Sequence, residues 1–230
     1  MKQRSRTQFT QLLLAAAVSA ALLSACAPQP QSRQESSAGS SSNAGEDASV
    51  VKISLYGDSA KIDGRGAAVE KGVLVIHEGG SYRLEGESRI PIEVRAANVS
   101  VVLQLNAVKI HTRGKNAIRA VQRGELSLLF EGEKPSEIVT DGRTSKKGSS
   151  LEPDNIRAAI YSKGNLTLGG SGGAIITAAD QGIAAKGALI VEDGIYDLET
   201  EDDIFCGKES VALQGGVVRA SAREVVCSSW

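Results

Sequence analysis

Four segments of this chain repeat at a spacing of 21 to 23 residues, and that spacing narrows the fold more than any other feature. The clearest copy is Ala159-Ile160-Tyr161-Ser162-Lys163-Gly164-Asn165-Leu166-Thr167-Leu168. It is matched by Gly182-Ile183-Ala184-Ala185-Lys186-Gly187-Ala188-Leu189 and by Ile204-Phe205-Cys206-Gly207-Lys208-Glu209-Ser210-Val211. Ala117-Ile118-Arg119-Ala120 with Arg123-Gly124-Glu125-Leu126 is an earlier copy, and Val225-Val226-Cys227-Ser228 is a fainter later one. Each copy reads as a short strand, a Gly or Lys-Gly turn, a second short strand and a Gly-rich turn. A period in this range marks stacked units, each burying its apolar face against the next. Short alternating strands without a 3.6-residue stripe predict an all-β chain. The expected fold is a right-handed parallel β-helix, a single-stranded solenoid with coils of about 22 residues.

Ile118 and Ile160 are 42 residues apart, so one coil carries an insertion. Its excess falls in the polar run Glu131 to Asn155, which predicts a loop at about 131–155 projecting from the stack. Upstream, Lys52-Ile53-Ser54-Leu55, Val73-Leu74-Val75-Ile76 and Val99-Ser100-Val101-Val102-Leu103 alternate as strands do. They predict a less regular first part that caps the stack.

Before Val50 the chain has nothing to fold. Lys2, Arg4 and Arg6 precede the apolar run Leu12 to Leu23, which is 12 residues long. A membrane-spanning helix needs roughly 20 apolar residues, so the run reads as the core of a secretory signal. Leu23-Ser24-Ala25-Cys26 then reads as a lipobox, in which Cys26 is acylated and becomes the new N-terminus. Residues 1–25 are the expected lipoprotein signal peptide, and 26–49 a flexible linker rich in Ser, Ala, Gln, Gly and Pro. Residues 50–230 form the expected β-helix domain. The predicted location is the bacterial cell envelope, with the lipid on Cys26 as the contact with a membrane.

The chain carries 26 Lys and Arg against 27 Asp and Glu, and the three basic residues of the leader are lost on cleavage. A mildly acidic mature chain gives no bulk electrostatic case for nucleic acid. Oligomeric state is not readable from the sequence.

Three columns follow from stacking the copies at the strand spacing of about 4.8 Å. Asp180 and Asp202 fall nearly above one another with Asp203 adjacent. Two such carboxylates repel by roughly 3 kcal/mol at an effective dielectric of about 20. Solvent and nearby lysines would relieve that, and so would a hard cation such as calcium; both readings stand. Lys163, Lys186 and Lys208 occupy one turn position in successive copies, with Arg123 as the equivalent one copy earlier. Such a row fits a solvated turn edge, or a track for an acidic glycan. Tyr161 would point outward beside it if Ile160 points in. Cys206 and Cys227 are 21 residues apart, so both thiols would share an outward column within disulfide range, or stay free.

The order of motifs also resembles a family of exported bacterial carbohydrate-binding β-helix proteins. The residues that carry it are Ala60-Lys61-Ile62-Asp63-Gly64-Arg65-Gly66, Gly80-Ser81-Tyr82-Arg83-Leu84, Leu105-Asn106-Ala107-Val108, Glu152-Pro153-Asp154 and Ala159-Ile160-Tyr161-Ser162-Lys163. The resemblance covers roughly Val51 to Ala185. It implies a right-handed pectate-lyase-type β-helix that binds calcium and plant-type or acidic polysaccharides without catalysis, and it adds Asp154 to the metal candidates. The family's Asp-Asp-Gly-Ile turn stands here as Asp180-Gln181-Gly182-Ile183 and as Asp202-Asp203-Ile204-Phe205.

No nucleophile–base pair emerges from the two histidines, His77 and His111, so no catalytic residue is assigned. The expected function is non-catalytic binding of polysaccharide, acidic in character and assisted by calcium. A structural or adhesive envelope protein without a glycan is the alternative. A calcium-dependent polysaccharide lyase is a further one, by fold analogy alone.

Overall fold

Val51 onward alternates buried and exposed side chains, and the chain answers with strands from its first described turn. The computed structural model describes residues 50–142, 157–222 and 225–227. The first strands are β1 (Val51–Gly57), β2 (Ser59–Asp63), β3 (Ala67–Glu70), β4 (Val73–Ile76), β5 (Gly80–Ser88), β6 (Ile92–Val94) and β7 (Ser100–Arg113). Units of three strands follow. They are β8 (Ile118–Ala120), β9 (Glu125–Glu131) and β10 (Ser136–Asp141), then β11 (Ala158–Ser162), β12 (Asn165–Gly169) and β13 (Gly173–Ala178). Next come β14 (Gln181–Ala185), β15 (Ala188–Val191) and β16 (Ile195–Thr200), then β17 (Phe205–Gly207), β18 (Ser210–Leu213) and β19 (Val217–Ser221). β20 (Val226–Cys227) is the last described strand.

These strands form two sheets, which corrects the expectation of a single-stranded right-handed β-helix. A 12-stranded sheet runs β18-β15-β12-β9-β7-β10-β13-β16-β19, with β1, β2 and β5 attached. An 8-stranded sheet runs β20-β17-β14-β11-β8-β6-β4-β3. The large sheet is curled into two arms that meet in β7. β9 pairs with its first half, from Ser100 to Asn106, and β10 with its second half, from Lys109 to Arg113. Each unit therefore supplies one strand to each arm and one to the small sheet. Two antiparallel hairpins, β1–β2 and β3–β4, stand at the N-terminal end of otherwise parallel pairing.

The physical reason lies at the corner between the arms. Gly86, Gly132, Gly170, Gly194 and Gly216 have φ between +85° and +110°, and Ala107 of β7 has φ +49°. A left-handed residue bends the chain without giving up its neighbours' ladder bonds. β7 thus passes through the corner as one strand of 14 residues and ties the arms into one curled sheet.

A second correction concerns the polar run 131–155. Ser136–Asp141 is a strand in the large sheet, paired in parallel with β7 on one side and β13 on the other. Ser136 and Ile138 are fully buried there, and an inward serine hid the alternation. The Ser136 hydroxyl is satisfied by accepting from the Val108 N–H at 3.2 Å.

The core fills the space between the sheets. Ile118, Ile160, Ile183 and Phe205 are in register across the small sheet and have no exposed surface. Leu103, Leu128 and Leu168 form the matching column on one arm, and Ile110, Ile138 and Ile176 on the other. Full burial of such a side chain stabilises by about 1.5–3 kcal/mol. Phe130 and Tyr196 meet edge to face inside, with ring centroids 5.6 Å apart. The Tyr196 hydroxyl donates to the Asp193 carbonyl at 2.7 Å, and burial drives its pKa well above the usual phenol value.

Candidate functional site

One edge of the small sheet carries a row of basic residues. Ile76, Val94, Ala120, Ser162, Ala185 and Gly207 are in register through β4, β6, β8, β11, β14 and β17. The residue after each is, in turn, His77, Arg95, Val121, Lys163, Lys186 and Lys208. The backbone ladder extends one bond past the strand ends to include them. Lys163 N–H donates to Ala120 C=O, Lys186 to Ser162 and Lys208 to Ala185, each at 2.9 Å. The three lysines that the repeat placed together are therefore neighbours, one per step of about 4.8 Å. Lys208 is exposed and the other two are half-buried.

Glycine makes that stacking close. A Cβ on Gly164 would overlap the backbone of Gly124, and one on Gly187 would overlap the Asn165 side chain and lie 2.9 Å from the Gly164 carbonyl carbon. Each Lys-Gly turn sits directly on the one before because the second residue has no side chain.

Arg123 stands off this row. Four residues connect β8 to β9, against two between β11 and β12, so Val121 takes the step next to Lys163. Arg123 still precedes Gly124 as Lys163 precedes Gly164, and its carbonyl accepts from the Asn98 N–H at 2.7 Å. The longer turn carries it outward.

Sequence spacing missed the lower steps. Arg95 lies 68 residues before Lys163 and His77 a further 18 before it, with no shared period, and only the sheet register aligns them. Arg95 donates to Glu93 at 2.6 Å and to Glu70 at 2.9 Å. The His77 ring lies 2.8 Å from the other Glu70 oxygen. Those bonds to Glu93 and Glu70 raise the Arg95 guanidinium pKa above its already high ordinary value.

The acidic turns come together in part. Asp202 N–H donates to the Asp180 carbonyl at 3.4 Å, so the two are stacked as the repeat predicted. The Asp180 carboxylate faces Arg157 at 3.9 Å. Asp203 is turned inward, with 6% of its surface exposed, and its carbonyl accepts from Gly182 N–H at 2.9 Å. Asp154 lies outside the described residues. Calcium takes six to eight oxygens. Among the described residues no three His, Cys, Asp or Glu side chains are grouped to hold a metal, and an arginine already attends Asp180.

Tyr161 is not an outer platform. It lies on the face of the small sheet opposite the main core, yet it has no exposed surface. Ala158, Ala184 and Cys206 form a second buried cluster with it. Strand alternation told which way the ring points but not that the face is covered. Tyr56, at the end of β1, is instead an exposed aromatic, at 63%.

Cys206 is disulfide-bonded, and the residue in register with it on β20 is Cys227. Closing a loop of that length is worth about 3 kcal/mol in the chain-entropy model. We expect reduction, or Cys206→Ser, to lower the thermal midpoint by about 6–12 °C. A midpoint that does not move on reduction would exclude this role. Cys26 lies outside the described residues.

The two histidines sit on different sheets, each against a carboxylate: His77 at Glu70, and His111 at Asp141 at 2.5 Å. Among the described residues neither ring is hydrogen-bonded to a serine, threonine or cysteine.

A family model described as "Carbohydrate-binding domain-containing protein" matches residues 70–226. No curated protein matches the sequence. Among solved structures, a polysaccharide lyase-like protein from C. thermocellum, studied as a gadolinium derivative, superposes with a TM-score of 0.55. The alignment covers 79% of this chain and 93% of that one at 18% identity, which is a likeness of fold. The family match takes in the small sheet from the end of β3 to β20 and with it every step of the basic row, so this chain belongs to the carbohydrate-binding domain-containing protein family.

Proposed function

We propose that the domain binds an acidic, polyuronate-like polysaccharide along the row Lys163, Lys186 and Lys208, without cleaving it. The observation that supports this reading is the in-register placement of three lysines on one sheet edge in a member of a carbohydrate-binding family. The three lysines lie one strand step apart, two half-buried and one exposed, so a polyanion laid along the edge can meet them in turn. The test is retention of the domain on immobilised polygalacturonate. Retention that salt weakens supports the reading, because exposed charge pairs are screened, and no retention at low salt overturns it.

Non-catalytic binding is favoured by the separation of the two histidines. A lyase reading draws on the arginine–carboxylate pair Arg157–Asp180 and on the name of the C. thermocellum neighbour. Accumulation of unsaturated uronide from polygalacturonate, lost in Arg157→Gln, would replace binding by cleavage as the function. Calcium beside the stacked turn carboxylates Asp180 and Asp202 belongs to the same reading, and retention unchanged by EDTA would remove it.

We place the domain at the cell envelope, held by a lipid on Cys26 at the end of the linker 27–49. Labelled palmitate is expected to be incorporated into the wild-type chain and absent from Cys26→Ser. Equal labelling of both would remove the anchor.

A further inference from the structure

The two ends of the stack close differently. At the N-terminal end the hairpin strands β2 and β3 lie against β1 and β4, and the inward residues Ile53, Leu55, Leu74 and Ile76 are at most 2% exposed. At the C-terminal end β18, β19 and β20 finish the two sheets, and no strand lies beyond them among the described residues. Val211, Val218, Ala220 and Val226 are there in register with Leu189, Tyr196, Leu198 and Phe205 of the unit before. Those four are buried, whereas Val211, Val218 and Ala220 are only partly covered and Val226 is 43% exposed. The core is therefore sealed at one end and open at the other. Leu213 and Val217 of the last unit, with Ile195 in register beside Val217, extend the apolar surface at the open end.

That end also lacks the features that ordinarily keep a strand edge from pairing, charge and proline. At the sealed end β2 carries Lys61 and Asp63, and β3 carries Glu70. β18 and β20 hold neither a charge nor a proline, and the one charge of β19, Arg219, is held by Asp197 at 3.3 Å. The Val217 N–H donates to the Gly194 carbonyl. Alternate residues of a parallel strand bond to the same side, so Val218 and Ala220 turn their N–H and C=O groups away from the stack.

We propose that the C-terminal end is the contact between two copies of this chain, joined tail to tail about a two-fold axis. A partner here must bring open strand edges around an uncovered apolar core. The N-terminal end, with its core sealed and its edge strands charged, does not, so a head-to-tail fibre is disfavoured. The same end of a second copy supplies both requirements with no opposing charge. A two-fold reverses the direction in which the chain circles the stack, so the strands meet antiparallel. Val211, Val218, Ala220 and Val226 of the two copies then complete one another's core.

The test is the protein mass of the full chain in mild detergent at micromolar concentration, read by light scattering, with two copies expected. Leu213→Lys/Val217→Lys places like charges on exposed residues of the contact and is expected to weaken association at least about tenfold. Ala220→Pro removes an outward N–H and no bond of its own sheet, and is expected to act in the same direction. Val69→Lys/Val99→Lys makes the first change on exposed valines away from this end and is expected to leave association within about twofold. Unchanged far-UV circular dichroism shows that the strands survive in each variant. A wild type of single copies, growth beyond two copies, a pair that persists in both C-terminal variants, or one lost equally in the control overturns the proposal. It stands apart from the glycan reading, which single copies retained on polygalacturonate would leave intact.

Discussion

Lys186→Glu/Lys208→Glu is expected to weaken polygalacturonate binding roughly a hundredfold, to the point where retention is lost at moderate salt. Each substitution removes a favourable contact and adds a repulsive one, worth about 1–1.5 kcal/mol together at a surface site. Lys186 and Lys208 are consecutive steps, bound through their own N–H groups to Ser162 and Ala185, so both changes act on one stretch of ligand. Neutral Lys186→Gln/Lys208→Gln is expected to fall between, about tenfold weaker than wild type. Lys52→Glu/Lys61→Glu places the same charge change on the exposed N-terminal hairpin and is expected to cost about twofold. A loss as large in that control as in the row would reduce the lysines to a contribution to net charge.

Gly170→Ala is expected to destabilise the domain by about 3 kcal/mol and to lower its thermal midpoint by roughly 10 °C. Two effects add. At φ +103° an L residue is strained, and the new Cβ would overlap the Phe130 carbonyl oxygen and lie 2.7 Å from the Phe130 nitrogen. Neither atom can swing away, because Phe130 is a fully buried core residue whose ring packs on Tyr196. Gly72→Ala separates the two effects. It too has positive φ, +73°, but nothing lies within 4 Å of the added carbon, so about 1 kcal/mol is expected. Ala107→Gly relieves strain at φ +49° and is expected to gain up to about 1 kcal/mol. Chemical denaturation of the three variants checks the order. A Gly170→Ala protein as stable as Gly72→Ala would show that the corner tolerates a side chain.

The repeat made part of this legible. Ile160, Ile183, Phe205 and Val226 do pair in register, because identical units stacked in parallel must bring equivalent positions together. The lysines follow from the same register, three residues further on. The division into two sheets was not legible. It depends on a left-handed residue at each corner, and one glycine among 25 carries no signal of which turn it occupies. β10 was hidden by an inward serine inside a charged run. Arg95 and His77 join the row through strands of unequal spacing, so no period could align them. Tyr161 shows a further limit: alternation assigns a side chain to a face, and burial of that face is a tertiary event.

The backbone ladder through the lysine turns has a consequence for drift and adaptation. Peptide hydrogen bonds hold the pitch of the row, and the charged side chains only occupy it. Exchange of a lysine for another residue alters which chemical group is displayed at a rung and leaves the rung where it was. Such a surface acts as a ruler with interchangeable marks, in which the displayed groups change independently of the scale.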